Sequence, residues 1–493
     1  MNKGIGGFFF GLFGGKMDIK EIKNKIVGWE EVPLDLFTPV SAFLKLRKNG
    51  AICLLESVEK GETVGRYSFI GLAPEREIVL DGFKLRTFGQ EKVLSRADAK
   101  QAVDSVLLSQ ELLPLSEIPF VGGWAGYVGY DFVRFLEEID LPVNGHKFPL
   151  MYLFQINKLL VFDHVKNTGK ILVIENELNR KKVEEEINSI RSSLSLNFND
   201  ELSRDEILLP KEKTLTLQSS LDKAEFIDRV RRAKEYIRAG DIFQVVLSVQ
   251  FQGQTRASAF DLYRALRILN PSPYMFYFDF GKFQLIGSSP ESHIKVVNDQ
   301  IMIKPIAGTR KRGNSGQEEQ VLEKELRTDP KEQAEHVMLV DLARNDLGKI
   351  CRPGSVQVSE FMGIEKYSHV MHLVSKVEGK LIPNLSFYDL LQATFPAGTV
   401  SGAPKLRAME IIREMEPVPR GPYAGIVGYL SNNGQVDFCI GIRMILYQES
   451  TYYLQAGAGI VADSNEEREY QEIRNKIRGL HQAIRLAEKG GRI

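Results

Sequence analysis

The chain has few cysteines, and neither sign of charge is in excess. Its 493 residues include three cysteines, Cys53, Cys351 and Cys439, which lie far apart and never in C-x-x-C spacing. Such a sparse, odd set argues against a disulfide framework and a cysteine zinc site, so we expect a cytoplasmic protein. Lys plus Arg and Asp plus Glu each number 64, which gives a formal net charge of zero. This balance argues against nucleic-acid binding and against a polybasic membrane anchor.

Two further absences restrict the classes of fold that the chain can adopt. The N-terminal segment MNKGIGGFFFGLFGGK is apolar over well under the roughly 20 residues that a membrane helix needs, and it has no small-x-small cleavage site. We interpret residues 1–17 as a mobile N-terminal extension, with a charged helix starting at Met17. No G-x-G-x-x-G opens a helix after a strand, which argues against a Rossmann unit.

The pattern of apolar residues divides the remaining chain into two domains. Short strand-like runs such as AICLLESV, YSFIGLA and KLLVFDHV alternate with turns, and together they predict an N-terminal domain over residues 18–190. A polar stretch predicts a linker over residues 191–221. The segment EFIDRVRRAKEYIRAG predicts the first helix of a second domain over residues 222–488, and its last residue, Gly240, is expected just past the end of that helix. Hairpin-like turns such as SNNGQ favour an α+β fold with mainly antiparallel sheets.

Two helices carry paired carboxylates at i, i+3 spacing. Glu332 and Glu335 follow the helix start Asp329-Pro330, and Glu469 and Glu472 lie in NEEREYQEIRNKIRGL. This spacing places each pair on one helix face. If the two faces meet, they offer hard oxygen ligands of the kind that Mg²⁺ prefers. The residues alone leave open the alternative of two solvated charged faces.

Other candidate residues surround a glycine-rich strand end. In LQAGAGIVADSN, Gly457 and Gly459 leave backbone N–H groups open to a ligand, unless they mark only a bulge. Arg443 lies in the apolar run FCIGIRM, which we predict to be a strand, and a buried arginine requires an anionic partner from the protein or a substrate. Lys476 has the spacing of a helical ion pair with Glu472. His372, from the residues alone, is either structural or catalytic.

Seven segments, in this order, resemble the chorismate-utilising enzyme family and within it the large, chorismate-binding subunits of anthranilate synthases. They are PIAGTRKRG, DPKEQAEHVMLVDLARNDLG, FPAGTVSGAPKLRAM, RGPYAGIVGY, FCIGIR, QAGAGIV and EYQEIRNK. The resemblance implies a fold of two packed antiparallel sheets with helices outside, enclosing a chorismate cleft. It implies Mg²⁺ held by Glu335 and Glu472, with Glu332 and Glu469 supporting it through water.

The resemblance also implies roles within the cleft. Glu291, in GSSPES, matches the general acid that protonates the departing C4 hydroxyl, and His372 lies against the ring and assists a later proton movement. Mg²⁺ would hold the ring carboxylate. The residues implied to grip the enolpyruvyl carboxylate or to line the same pocket are Tyr423, Arg443, Gly457, Ala458, Gly459, Lys476 and Thr399.

Two positions indicate which member of the family the chain resembles. Family members that add water carry a lysine where this chain has Gln244, which cannot act as a base, so an aminating enzyme is implied. Many aminodeoxychorismate synthases carry a lysine in place of Ala307, so Ala307 favours direct ammonia addition and anthranilate as product. Ala307, Gly308 and Thr309 would form a loop walling the cleft. We expect the following Arg310, Lys311 and Arg312 to be exposed.

The resemblance further implies partners and regulation. No glutaminase-like segment is present, so a separate glutamine amidotransferase subunit would supply ammonia, in an assembly of two large and two small subunits. Feedback inhibition by tryptophan is implied by residues resembling a tryptophan pocket between the domains. Aminodeoxychorismate synthase and a catalytically silent, tryptophan-sensing subunit stay open as alternatives. The regulatory residues are Glu56, Ser57, Asn270, Pro273, Tyr274 and Met275.

Overall fold

The computed structural model describes residues 17–34, 37–57, 65–107, 112–115, 117–139, 145–195, 217–313, 315–366 and 370–490. The predicted N-terminal extension, apart from Met17, and most of the predicted linker lie outside the described residues.

Runs of several consecutive strands are separated by helices along the described chain. The strands are β1 (Asp18–Ile22), β2 (Lys25–Pro33), β3 (Ala51–Glu56), β4 (Tyr67–Leu72), β5 (Arg76–Asp81), β6 (Lys84–Thr87), β7 (Gln90–Val93), β8 (Gly123–Val128), β9 (Met151–Ile156), β10 (Lys158–Asp163), β11 (Thr168–Glu175), β12 (Gln218–Ser219), β13 (Gln244–Gln254), β14 (Tyr274–Asp279), β15 (Gln284–Ser289), β16 (Ser292–Val297), β17 (Gln300–Ile303), β18 (Ile306–Lys311), β19 (Gln357–Lys366), β20 (Val370–Lys380), β21 (Gly402–Ala403), β22 (Ile426–Ser431), β23 (Val436–Ile440), β24 (Met444–Gln448) and β25 (Thr451–Ile460). The α-helices are α1 (Pro39–Lys45), α2 (Arg96–Leu107), α3 (Val133–Leu136), α4 (Arg180–Ser195), α5 (Lys223–Ala239), α6 (Ala259–Leu269), α7 (Gly316–Thr328), α8 (Pro330–Gly348), α9 (Phe387–Thr394), α10 (Lys405–Met415) and α11 (Glu466–Glu488).

The strands form two large antiparallel sheets, as predicted. The first sheet has the order β1-β2-β11-β10-β4-β3-β14-β15-β24-β25-β13-β12, with β21 also pairing with β13. The second has the order β18-β20-β17-β16-β23-β22-β8-β9-β5-β6-β7, with β19 also pairing with β20. The α+β architecture is therefore confirmed.

Both sheets contain strands from both halves of the sequence. In the first sheet β3 pairs with β14, where Glu56 is opposite Met275. In the second sheet β8 pairs with β22, where Gly126 is opposite Gly428. One continuous hydrophobic core includes buried residues from each half of the sequence, and Tyr127 is one of those from the first half. The predicted boundaries of the two domains stay a prediction, and each sheet extends across them.

Local sequence signals set the ends of two predicted helices, α5 and α8, of which α8 carries site residues. At the start of α5, Asp222 and Glu225 form a reciprocal capping box, and Gly240 ends the helix in the left-handed conformation that glycine adopts without strain. At the start of α8, the Asp329 side chain accepts hydrogen bonds from two backbone N–H groups, and Pro330 occupies the first turn. The predictions of these two helices are confirmed.

Tertiary pairing overrides the sequence prediction in two places. The residues from Met17 were predicted to start a helix, but Asp18–Ile22 forms β1, which pairs along its full length with β2. The segment PIAGTRKRG was predicted to be a loop, but Ile306–Lys311 forms β18 against β20. In both cases a neighbouring strand supplies backbone hydrogen bonds that the local pattern does not reveal.

The run around Arg443 is also different from the prediction. FCIGIRMIL was predicted to be one strand, but it forms β23 in the second sheet and β24 in the first. Arg443 lies in the turn between them with φ of 51°. The chain crosses from one sheet to the other there, and this places the Arg443 side chain where the two sheets meet the helices of the site.

Candidate active site

Glu291 is a buried carboxyl group that favours its protonated form. It lies between β15 and β16, is 8 % exposed, and has its backbone carbonyl hydrogen-bonded by the Ile440 N–H at 2.9 Å. Burial raises the pKa of Glu291 to about 8, while the Thr399 hydroxyl and the Lys476 ammonium oppose the shift. The structure thus places an acid, Thr399 and Lys476 together, as the sequence analysis predicted.

A small cavity of about 30 Å³ adjoins this acid and is lined by Glu291 and Thr399 among others. The buried Thr399 hydroxyl makes no hydrogen bond of ordinary geometry within the described residues, and neither does the side-chain oxygen of Gln244. Buried polar atoms are almost always hydrogen-bonded, so these two atoms are suited to contact a ligand in the cleft.

Gln244 connects the start of β13 to the carboxylate helix α8. Its Nε2 donates a hydrogen bond to Glu335 Oε1 at 2.9 Å. A Cβ on Gly459 would lie only 2.7 Å from the same Nε2, so a larger residue there would displace the Gln244 amide from its present position. Burial raises the pKa of Glu335, the Gln244 hydrogen bond opposes this shift, and nearby Glu332 and Glu472 add to it.

The four predicted metal-binding carboxylates lie on facing helices, but several have protein partners. Glu472 pairs with Lys476 at 2.7 Å, and Glu332 pairs with Arg310 at 2.9 Å. Burial raises the pKa of Glu469, and Glu472 raises it further. Within the ranges that the structure describes, no group of three or more His, Cys, Asp or Glu side chains lies close enough to hold a metal ion by itself.

The donor set nevertheless fits a magnesium ion completed by substrate and water. Mg²⁺ commonly takes only one or two carboxylates from the protein. Glu335 on α8 and Glu472 on α11 lie close enough to interact electrostatically, and the charge of Glu472 therefore raises the pKa of Glu335. Two carboxylates that repel each other across a cleft are a suitable seat for a divalent cation.

Arg443 and the glycine-rich end of β25 both lie near Tyr423 and are suited to hold an anion, so we call this group the anion seat. Arg443 makes no ion pair with any described residue, and burial lowers its pKa while Tyr423 and Glu472 oppose this shift. A Cβ on Gly457 would lie 3.0 Å from the Tyr423 hydroxyl, so the bare backbone of the strand and this hydroxyl meet. Lys476 Nζ donates to the Gly457 carbonyl at 2.8 Å, and Ala458 between the two glycines is fully buried.

His372 faces the bulge that Gly308 makes in β18. Its Nδ1 lies 3.2 Å from the Gly308 carbonyl oxygen, and burial is the main cause that lowers its pKa. A neutral ring whose Nδ1–H donates to this carbonyl carries its lone pair on Nε2. Gly308 has φ of 57°, and Ala307 beside it is buried. The side chain of Thr309 lies outside what the structure describes.

The prediction that Arg310 and Arg312 are exposed is wrong. Arg310 pairs with both Asp329 and Glu332 at 2.9 Å, and Arg312 pairs with Glu319 at 2.7 Å. Arg310 meets acidic residues at the start of α8 and Arg312 meets one of α7, because β18 runs beside these helices. Lys311 is exposed, as predicted.

A separate cavity of about 770 Å³ contains most of the predicted regulatory residues. Glu56, Ser57, Pro273, Tyr274 and Met275 all line it. The Ser57 hydroxyl is buried and makes no hydrogen bond with a described residue. Space and an unsatisfied polar group are what a ligand pocket requires.

Two regulatory residues differ from the prediction in detail. Asn270 does not line the cavity, because it ends α6 and its carbonyl accepts a hydrogen bond from Ser288 Oγ at 2.6 Å. Glu56 lines the cavity but already pairs with Arg267 at 3.0 Å and accepts a hydrogen bond from Tyr263.

Buried charges that support the site escaped the sequence analysis. Lys405 Nζ donates to Asp346 at 2.7 Å and to the Thr394 carbonyl at 3.1 Å, beside the cavity at Glu291. Arg420 and Glu416 form a second buried pair, at 2.6 Å. These residues lie in or next to the family-like segments, but only their burial distinguishes them from surface charges.

The two-sheet fold, the buried acid Glu291 and the neighbouring carboxylates Glu335 and Glu472 define a class of enzymes, and comparison with known proteins identifies it. The chain belongs to the chorismate binding enzymes, whose family model matches residues 50–482. The predicted family is therefore confirmed.

Three relatives that are about 40% identical to this chain share the name anthranilate synthase component 1 or I. Anthranilate synthase component 1 of Acetivibrio thermocellus is 43% identical over 470 residues, which cover 93% of this chain and 94% of that protein. Anthranilate synthase component 1 of Aquifex aeolicus is 42% identical over 496 residues, covering 96% and 97%. The crystal structure of anthranilate synthase component I from Streptococcus pneumoniae matches with a TM-score of 0.76 and 38% identity, over 90% of this chain and 98% of that one. The menaquinone-specific isochorismate synthase of Escherichia coli, at 20% identity and a TM-score of 0.69, shares the fold.

Proposed function

We propose that this chain catalyses the anthranilate synthase reaction. Ammonia adds to C2 of chorismate as the C4 hydroxyl leaves, and elimination of pyruvate then gives anthranilate, the first step of tryptophan biosynthesis. The observation that carries this proposal is similarity of about 40% identity, over nearly the whole chain, to anthranilate synthase component 1. The geometry agrees, because Gln244 supplies no base for water and Glu291 is a buried acid.

Glu291 acts as the general acid of the first step. With a pKa of about 8 it is protonated at neutral pH, so it donates its proton to the C4 oxygen, which leaves as water. Ammonia forms the new C–N bond at C2 while the ring double bonds shift, and the extra proton on nitrogen is released. In the second step a proton leaves C2, the C3–O bond breaks, and the released enolpyruvate takes up a proton to become pyruvate. The Nε2 lone pair of neutral His372 is suited to assist that proton transfer.

The substrate is held by charge at both carboxylates. Arg443, Tyr423 and the backbone N–H groups of residues 457–459 would bind the enolpyruvyl carboxylate, because the guanidinium otherwise has no anionic partner among the described residues. Thr399 and Lys476 complete the pocket beside Glu291.

We further propose that the enzyme uses a magnesium ion. Glu335 and Glu472 would hold it, with Glu332 and Glu469 supporting it through water. Such an ion would supply positive charge that neutralises the ring carboxylate of chorismate. Glu332 would have to share its charge with Arg310, its partner in the structure.

Ammonia would come from a glutamine amidotransferase subunit, and we propose an assembly of two large and two small subunits in the cytoplasm. No helix among the described residues is long and apolar enough to cross a membrane. Free ammonium at high concentration would replace the partner.

Tryptophan would inhibit the enzyme from the 770 Å³ cavity. The Ser57 hydroxyl supports this proposal, since it is buried there without a partner. Glu56 would bind the amino group only while also shared with Arg267.

The deciding experiment mixes the purified chain with chorismate, Mg²⁺ and ammonium salt and follows anthranilate fluorescence with and without tryptophan. Fluorescence that requires Mg²⁺ and falls with tryptophan supports both sites. A 4-amino product would instead identify an aminodeoxychorismate synthase. Absence of any product, with chorismate still bound, would indicate a silent tryptophan-sensing subunit.

A further inference from the structure

A buried ion pair, Arg420 with Glu416, lies behind the proposed chorismate site. Arg420 is 3 % exposed, and it donates from Nε and Nη2 to the two oxygens of Glu416 at 2.8 and 2.6 Å. Removing two such charges from water costs more than their attraction returns unless further hydrogen bonds satisfy them. The remaining contacts of the pair therefore indicate what it is for.

The other donors of Arg420 fix two backbone segments of the site. Nη1 donates to the Val400 carbonyl, and Nη2 donates to the Val246 carbonyl, each at 2.7 Å. Val400 directly follows Thr399, whose hydroxyl adjoins the acid Glu291. Val246 pairs with Gly459 across the β13–β25 ladder. One planar guanidinium thus sets the distance between the Thr399 turn and the glycine strand.

Glu416 extends this arrangement along the same strand. Its Oε1 accepts hydrogen bonds from the Ser248 backbone N–H at 2.7 Å and from its hydroxyl at 2.9 Å. Ser248 pairs with Gly457 in the ladder, next to the carbonyl that Lys476 contacts. The carboxylate therefore holds β13 opposite the first glycine of the anion seat.

The Arg420 side chain also packs on the aromatic residues of the site. Its guanidinium carbon lies 4.5 Å from the ring centroid of Tyr130 and 5.9 Å from that of Tyr423. Both distances are in the range of a cation–π contact. Tyr423 follows Arg420 by three residues, so the cation fixes the turn that presents the Tyr423 hydroxyl.

We propose that Arg420, together with Glu416, is a positioning residue for the chorismate reaction. It touches no reacting atom, and it sets the mutual placement of Thr399, the Gly457–Gly459 strand and Tyr423. The inference rests on the proposed function. This positioning role requires the planar guanidinium group of arginine, because a lysine ammonium cannot bridge Glu416 and two carbonyls in these fixed directions.

The test compares Arg420→Lys and the double variant Arg420→Met/Glu416→Gln with Arg191→Lys as a matched control. Arg191 pairs with the buried Glu30, at 2.9 Å, between α4 and β2. The double variant carries no unpaired buried charge and keeps an oxygen for Ser248, so it tests position without charge imbalance. Anthranilate formation is measured with saturating ammonium and Mg²⁺ across pH, and thermal unfolding is measured on the same samples.

We expect both Arg420 variants to lose at least about tenfold in kcat with a smaller change in the chorismate KM, because misplaced catalytic groups reduce rate steeply. Both variants should unfold at a lower temperature than Arg191→Lys, because buried carbonyls lose their donor, but they should stay folded at the assay temperature. The basic limb of the kcat/KM profile should move to higher pH, because a displaced Thr399 hydroxyl no longer lowers the pKa of Glu291. A purely structural role would leave this limb in place.

Two results would overturn the inference: wild-type kcat and pH profile in folded Arg420 variants, or activity losses that match the fraction of unfolded protein at the assay temperature. If the wild-type chain itself forms no anthranilate, the proposed function fails, and chorismate binding then tests the placement alone. In that case equal chorismate affinity of the wild type and both Arg420 variants would overturn the inference.

Discussion

Replacing Glu291 with glutamine should greatly reduce turnover and at the same time stabilise the fold at alkaline pH. The two side chains have nearly the same shape, but glutamine cannot donate an acidic proton to the departing hydroxyl. General acids typically contribute 10² to 10⁴-fold to rate, so a loss of about that size is expected. The stability gain follows from the buried charge that the wild-type enzyme acquires as pH rises.

The size of that gain can be worked from the pKa. Burial raises the pKa of Glu291 from the ordinary 4.5 to about 8, a difference of 8 − 4.5 = 3.5. At roughly 1.36 kcal/mol for each pH unit, the buried carboxylate costs about 5 kcal/mol once it is fully ionised. Between pH 4.5 and 8 the folded state binds a proton that the unfolded state has released, so wild-type stability falls as pH rises through this window. Glutamine carries no such charge at any pH.

The assay is thermal or denaturant unfolding of the wild type and Glu291→Gln at pH 4 and pH 9, beside anthranilate formation at pH 7. The stability difference should favour the variant at pH 9, by up to about 5 kcal/mol, and nearly vanish at pH 4. Glu185→Gln, which removes an exposed carboxylate of α4 paired with Lys181, is the control and should change neither property. Equal stabilities at pH 9, or activity within about tenfold of wild type, would refute the assignment of Glu291 as a buried general acid.

Four other changes test the remaining parts of the site. Glu335→Gln should raise the Mg²⁺ concentration that gives half-maximal rate by at least about tenfold, and an unchanged requirement would remove this carboxylate from the metal site. Arg443→Lys should raise the chorismate KM by about tenfold, measured by initial rates, because a lysine loses the two-pronged contact with a carboxylate; wild-type KM would place the substrate elsewhere. Gly459→Ala should reduce kcat/KM, because its Cβ would lie 2.7 Å from Gln244 Nε2; full activity would show that this packing does not matter. Ser57→Phe should weaken tryptophan inhibition in dose–response assays and leave kcat unaltered, whereas unchanged inhibition would contradict the regulatory cavity.

Much of the catalytic side of this protein could be predicted from sequence, because its parts depend on local signals. The i, i+3 carboxylates keep their shared helix face in any fold that contains α8 and α11. Asp329-Pro330 and Gly240 end their helices by backbone chemistry that acts within a few residues. The family resemblance supplied the roles of residues such as Glu291, which no periodicity indicates.

What sequence could not supply depends on contacts between distant segments. The Asp18–Ile22 strand, the pairing of β18 with β20, and the crossing at Arg443 each require a partner strand from elsewhere in the chain. The same is true of the pairing of Arg310 with α8, which made the expected exposure wrong.

By itself, the sequence determined the helices with their caps, the antiparallel class and the identities of the chemical groups. Only the tertiary structure decided that both sheets extend across both halves of the chain, that burial makes Glu291 an acid near neutral pH, and that Arg420 reaches two carbonyls and Glu416 at once. Burial and long-range hydrogen bonds depend on which segments meet, and no local pattern of residues contains that information.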